Sequence, residues 1–239
     1  MTDAPAPATQ NRPGPLISFE GGDGVGKTTQ IQRLATVLAA ARIDYRLTRE
    51  PGGTELGAQI RRLLLHGGAV DPRAEALLYA ADRAQHVAEV IRPAMARGQV
   101  VLTDRYLDSS IAYQGAARSL GAAEIRSLSE WATDSLLPDL TILLDADPSV
   151  ADLRTGARGA KDRLESEGAV FRAALREQFL ALAAAEPERF AVLDARRTIE
   201  EVAEDVDQRV ADLLPEASGA RAAFLRAAAR MGRTAQGAS

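Results

Sequence analysis

The sequence has no cysteine, which excludes a disulfide framework, a thiolate metal site and a cysteine nucleophile and fits a reducing, cytoplasmic setting. Only two histidines occur, His66 and His86, too few for a histidine-rich metal centre. No apolar run approaches the ~18 residues that a membrane-spanning helix needs. An excess of positive charge is lacking too. The formal net charge is −4, so no chain-wide basic field points to nucleic acid. Residues 1–15 are rich in alanine and proline but lack the apolar core of a signal peptide, and are expected to form a disordered leader. A chain of 239 residues fits one domain with tails and can bury a core without staples.

What is present is concentrated first in Gly21-Gly22-Asp23-Gly24-Val25-Gly26-Lys27-Thr28. An apolar run, Leu16-Ile17-Ser18-Phe19, precedes it, and a helical pattern opening at Thr29 follows. Strand, glycine-rich turn, Lys-Thr and helix together match a phosphate-binding loop. The glycines let the backbone take left-handed angles and bring its N–H groups close to phosphate oxygens. The helix behind points its N-terminal N–H groups at the same anion. Lys27 adds a charge near the β- and γ-phosphates, and the Thr28 hydroxyl is placed for Mg²⁺. Val25 is aliphatic, so the loop offers the transferred group no arginine. Asp23 is unusual beside a triphosphate. It reads either as a turn-forming residue or as a group facing the acceptor side and Mg²⁺.

Beyond the loop, apolar runs and breakers alternate as strand and helix, the pattern of a parallel sheet covered by helices on both faces. Strands are expected at 16–20, 45–48, 100–103, 140–144 and 190–193. Helices are expected at 29–41, 55–65, 73–90 (with Pro93 breaking or restarting the last), from 109 onward, and at 122–136, 170–185 and 199–214. Residues 148–167 are charged and poorly periodic, and read as a mobile lid from about 150. Residues 215–239 form an appendage, read as a solvated helix or frayed tail, with a basic contact surface as the lesser alternative. Ligands of such sheets sit at the carboxyl ends of the strands. Asp23, Lys27, Arg49, Glu50, Asp104, Arg105, Asp145 and Asp194 should therefore converge on one cleft.

From Arg49-Glu50-Pro51-Gly52-Gly53-Thr54 onward the sequence resembles the thymidylate kinases. The resemblance continues through Leu78-Tyr79-Ala80-Ala81-Asp82-Arg83, Asp104-Arg105-Tyr106, Ala112-Tyr113-Gln114-Gly115, Leu144-Asp145 and Asp162-Arg163-Leu164-Glu165, in the family's order. It implies a P-loop kinase with a five-stranded parallel sheet and a mobile lid. Such an enzyme moves the γ-phosphoryl of ATP onto dTMP with Mg²⁺, as a homodimer. It also implies a cis bond at Pro51, and it places Arg49 and Arg105 on the acceptor phosphate and Asp104 in the water shell of Mg²⁺. Asp145 also ends an apolar strand, so the metal role stays open between those two aspartates. Tyr79 and Arg83 lie one helical turn apart, a ring to stack on a base and a donor-only group suited to thymine O4. Ser110 is a further candidate for the base, Tyr113 for crowding the sugar 2′ position, and Glu165 for the sugar. Arg158 is the first candidate for the guanidinium that Val25 leaves unsupplied, and Arg154 the second, toward ATP.

A phosphate acceptor needs no general base, because its second pKa is about 6. The nearest rival reading is a deoxynucleoside kinase, whose neutral hydroxyl acceptor would need Glu50 as base. Arg49 and Arg105 speak for an acceptor that already carries a phosphate. The other rival is a P-loop switch or ATPase, and the Asn-Lys-x-Asp that reads guanine is absent.

Overall fold

The computed structural model describes residues 13–117, 120–147, 168–216 and 219–236. Five strands form one all-parallel sheet: β1 (Leu16–Glu20), β2 (Tyr45–Arg49), β3 (Val100–Asp104), β4 (Leu140–Asp145) and β5 (Phe190–Asp194). Their spatial order is β2-β3-β1-β4-β5. The central position of β1 explains its composition, since every residue of it is buried. Register aligns Phe19 with Asp104, Arg49 with Asp104, and Asp145 with Asp194, so the acidic strand ends stand along one edge of the sheet.

Helix α1 (Lys27–Ala40) lays Ile31, Leu34, Ala35 and Leu38 on one face of the sheet, at helical spacing. Helix α2 (Glu55–His66) starts at Thr54, whose hydroxyl accepts the N–H of Gly57 at 2.9 Å. Helix α3 (Pro72–His86) is capped by Asp71 and has proline in its first turn. It does not stop before Pro93. A π-helical turn, Val87–Ile91, leads into α4 (Arg92–Ala96), and the N–H of Arg92 reaches back five residues to Val87 O. The wider turn resets the hydrogen-bond register just before a residue that has no N–H, so the helix restarts at Arg92 with Pro93 in its first turn, as the sequence allowed.

Helix α5 (Leu107–Ser110) also continues as a π-helix, Ile111–Ala117. Helix α6 (Ala122–Thr133) ends where Asp134 and Ser135 turn left-handed. Helix α7 (Ala169–Ala185) and helix α8 (Ile199–Leu213), which opens with a Thr198–Glu201 capping box, complete the layers.

Two boundaries differ from expectation. Gly14 and Pro15 are part of the fold: Gly14 N–H bonds Met95 O at 2.8 Å, and Pro15 O accepts Val101 N–H at 2.9 Å. Helix α9 (Ala220–Gln236) is not merely solvated. Phe224 is fully buried in the core shared by α1 and α8, with Ala227 beside it and Ala228 and Met231 packed against it. The expected lid, with Arg154, Arg158 and Glu165, lies outside the described residues, as do residues 1–12 of the expected leader.

Candidate active site

The glycine loop is pinned by Val25, which is buried in the main core. Gly21 has φ +126°, and a Cβ there would meet Leu144 O at 2.5 Å, so only glycine fits. Gly26 caps α1 in a left-handed conformation without a side-chain bond, which leaves the first N–H groups of the helix uncovered by any capping side chain. Thr29 is half-buried in that first turn. Lys27 is buried, and its Nζ donates to Gly21 O at 3.0 Å and Gly22 O at 2.7 Å. Burial and the Arg105 charge pull its ammonium below the ordinary lysine value, against Asp23, Asp104 and Glu20.

Next to this loop stands Arg105, the residue after β3. Its backbone is left-handed, with φ +70°. Its guanidinium donates to Gly21 O at 3.1 Å, Ser109 Oγ at 3.0 Å and Tyr113 Oη at 3.2 Å, and forms a short ion pair with Asp23. Tyr113 donates its hydroxyl to the other oxygen of Asp23 at 3.2 Å, and its ring lies 5.1 Å under the Arg105 guanidinium. Burial would raise the Asp23 carboxyl, but Arg105 and Lys27 bring it down to about 2. Asp23 therefore faces Arg105 and Tyr113.

Thr28 is exposed, and its hydroxyl lies 3.4 Å from Asp104 Oδ2. Asp145, the other aspartate open to a metal role, is taken by Arg176, which grips both oxygens at 2.7 and 2.8 Å. Among the described residues no group of three or more His, Asp or Glu is arranged to hold a metal ion. Oxygen ligands from Thr28 and Asp104 alone suit a hard cation that keeps waters and substrate phosphates in its shell, which is how Mg²⁺ binds.

On the far side of β3, Arg49 is exposed at the end of β2, before a cis Glu50–Pro51 bond. A hollow of about 310 Å³ is lined by Arg46, Leu47, Thr48, Arg49, Gly52 and Gly53 at this edge. Tyr79 is buried in a small cluster with Ile60, Leu64 and Leu65. Arg83 is more deeply committed than its spacing suggests. It bonds Glu50 Oε2 at 2.8 Å, Ser129 Oγ at 3.1 Å, Ser110 Oγ at 2.9 Å and Tyr106 O at 3.3 Å. Glu50, the base of the rival reading, is buried, and its other oxygen meets His86 Nδ1 at 2.8 Å. Both of its oxygens are engaged inside the fold, which does not favour a role as base.

The sequence did not single out Ser109, Glu20, His86 or Arg176. A signal existed for two of them. Glu20 is an acid at the end of an otherwise apolar strand, and His86 follows Arg83 by three residues on the same helix face. Burial and the neighbouring Asp108 push the Glu20 carboxyl well above the usual range, which Ser109, Arg105 and the Tyr106 N–H partly offset.

Comparison with known proteins identifies the family. A sequence model of the family described as thymidylate kinase matches residues 19–206. The chain is 59% identical over 206 residues to a thymidylate kinase of Bifidobacterium longum subsp. infantis, covering 84% of this chain and 88% of the relative. It is 59% identical over 202 residues to one from Leifsonia xyli subsp. xyli, covering 84% and 96%. It is 57% identical over 211 residues to one from Clavibacter michiganensis subsp. michiganensis, covering 87% and 99%. With these matches spanning the sheet, the phosphate loop and the Asp104-Arg105 corner, the chain belongs to the thymidylate kinase family.

Proposed function

We infer that the chain transfers the γ-phosphoryl group of ATP to the phosphate of dTMP, giving ADP and dTDP for nucleotide biosynthesis. One observation carries this reading: two cationic sets share one cleft. Lys27 and the start of α1 suit a donor triphosphate. Arg105, bonded to the same Gly21 carbonyl, suits an acceptor that already bears a phosphate.

The chemistry asks little of acid–base groups. An oxygen of the dTMP phosphate attacks the γ-phosphorus, the bond from that phosphorus to the β,γ-bridging oxygen breaks, and negative charge passes to ADP. Backbone N–H groups of residues 21–28 and the Lys27 ammonium hold the donor. Arg105 and Arg49 hold the acceptor and offset like-charge repulsion between the two phosphates. Thr28 and Asp104 would hold Mg²⁺, which when bound neutralises charge on the donor phosphates. Arg158, with Arg154 toward ATP and Glu165 toward the acceptor sugar, completes the proposal from the lid, outside the described residues.

Base choice rests on Tyr79 and Arg83. Four of the five N–H groups of Arg83 enter the bonds given above, and the fifth is what thymine O4 would take. Ser110 supports that guanidinium, so its contribution to the base is indirect. Tyr113 stands between Asp23 and Arg105, where its ring favours a deoxyribose.

A homodimer is the assembly we propose. Leu56 and Leu63 of α2, Leu77 of α3 and Trp131 of α6 are exposed on three neighbouring helices, Trp131 by 82%. Large apolar groups exposed on adjoining helices suit burial against a second copy. A cytosolic site of action fits the absence of cysteine. No helix among the described residues is long and apolar enough to cross a membrane.

Phosphorus NMR of a mixture of chain, MgATP and dTMP tests the reading. Equal amounts of ADP and dTDP are expected, and Arg105→Ala should suppress both. ADP accumulating with free phosphate and no dTDP would overturn it.

A further inference from the structure

Glu20 ends β1, one residue before the phosphate loop, and is fully buried. Both of its oxygens are in use. Oε1 meets the backbone N–H of Tyr106 at 2.7 Å, and Oε2 meets the hydroxyl of Ser109 at 2.6 Å. The hydroxyl proton of Ser109 is directed to Glu20, so its lone pairs are free to face Arg105. Ser109 Oγ accepts Nη1–H of that guanidinium at 3.0 Å. Donating to a carboxyl strengthens the hydroxyl as an acceptor, because hydrogen bonds in a chain polarise one another.

The bond to Tyr106 acts on the backbone. A residue with a side chain rarely takes the left-handed conformation of Arg105, which persists only where surrounding bonds impose it. Three bonds impose it here. Arg105 N–H goes to Phe19 O at 3.0 Å, Thr103 Oγ1 donates to Arg105 O at 2.8 Å, and the next N–H, that of Tyr106, goes to Glu20. Asp23 fixes the Nη2 side of the guanidinium, so two acids three residues apart set the direction of one arginine.

We infer that Glu20 is a positioning residue for Arg105: through Tyr106 it holds the turn that presents the arginine, and through Ser109 it aims the guanidinium at the acceptor phosphate. The inference rests on the reading that Arg105 grips the phosphate of dTMP. It makes the donor loop and the acceptor arginine one unit, joined by a buried acid that touches neither substrate.

The test compares the binding of dTMP with that of thymidine, which lacks the phosphate, in the full chain. Ser109→Ala, which removes the bridge, is expected to weaken dTMP about tenfold while thymidine stays within about twofold. Glu20→Leu, of similar volume, should lose at least as much dTMP affinity. Glu20→Gln should recover most of that loss, since an amide accepts one donor and holds a hydroxyl at its other end. A Ser109→Ala, Glu20→Leu double variant should lose no more than the worse single variant, because the two act in one chain. Equal losses for dTMP and thymidine would overturn the inference and leave Glu20 a plain structural strut. Arg105→Ala separates the two levels. If it spares dTMP affinity, the phosphate reading itself fails. If it weakens dTMP selectively while Ser109→Ala does not, the positioning role alone fails.

Discussion

Arg105 holds one oxygen of Asp23 while Tyr113 donates its hydroxyl to the other, so the carboxylate inside the phosphate loop is neutralised by Arg105. Its charge belongs to a pair, and the pair ties the glycine loop to the turn after β3.

Replacing that carboxylate should uncouple the two. Asp23→Asn is expected to lower kcat by about tenfold or more, with a smaller effect on the KM for ATP. Asp23 stays ionised down to about pH 2, so it does not set the acid limb of activity. That limb belongs to the substrate: kcat/KM is full above the dTMP phosphate pKa of about 6 and falls as pH drops through it. Steady-state profiles of wild type and Asp23→Asn should share that midpoint. A displaced midpoint in the variant would make Asp23 the titrating group.

Stability should carry a separate pH signature from Asp207, which is half-buried on α8. Burial raises its carboxyl from 3.8 to about 7, opposed by Arg33 and helped by Glu204. The folded value exceeds the unfolded one, so its contribution is complete below 3.8 and is lost as pH rises toward about 7. Within that window the slope reaches up to about 1.4 kcal/mol per pH unit. Asp207→Asn should flatten this part of a denaturation-against-pH curve, and an unchanged slope would refute the assignment.

The C-terminal helix should be a measurable part of the fold. Phe224→Ala deletes a fully buried ring and is expected to cost about 3–5 kcal/mol, lowering Tm by on the order of 10 °C. Activity at low temperature should be retained. A Tm shift near zero would mean that the ring leaves the core in solution.

Sedimentation velocity tests the assembly. Wild type should run as a dimer, and Trp131→Glu, which puts a charge into the proposed contact, should shift it to monomer. A wild-type monomer at micromolar concentration would remove the homodimer from the account.

The sheet and the phosphate loop were legible because their signals are local: glycine spacing, apolar strands and a Lys-Thr pair within a few residues. Pro93 marked the restart at α4, but the π-helical turn that leads into it leaves no mark in composition. The buried face of α9 was in fact written in Phe224, Ala227, Ala228 and Met231, at helical spacing, but basic residues around it drew the reading toward solvent. Arg83 looked like a free reader of the base because nothing local reveals that Glu50, Ser129 and Ser110 converge on it from other elements. The same holds for Asp145, whose metal role looked open until Arg176, 31 residues later, was seen to grip it. Ser109 carried no signal at all, since one hydroxyl in a helix is indistinguishable from its neighbours until the fold brings Glu20 and Arg105 to either side.

The most direct measurement is ADP release from MgATP with dTMP, dUMP, dCMP, thymidine or no acceptor. The account predicts strong turnover with dTMP and weaker turnover with dUMP, because a missing methyl costs only about 1–3 kcal/mol. It predicts none with thymidine. Turnover of thymidine but not dTMP would contradict it and return Glu50 to the role of base, and ADP release indifferent to the acceptor would remove the two-nucleotide cleft altogether.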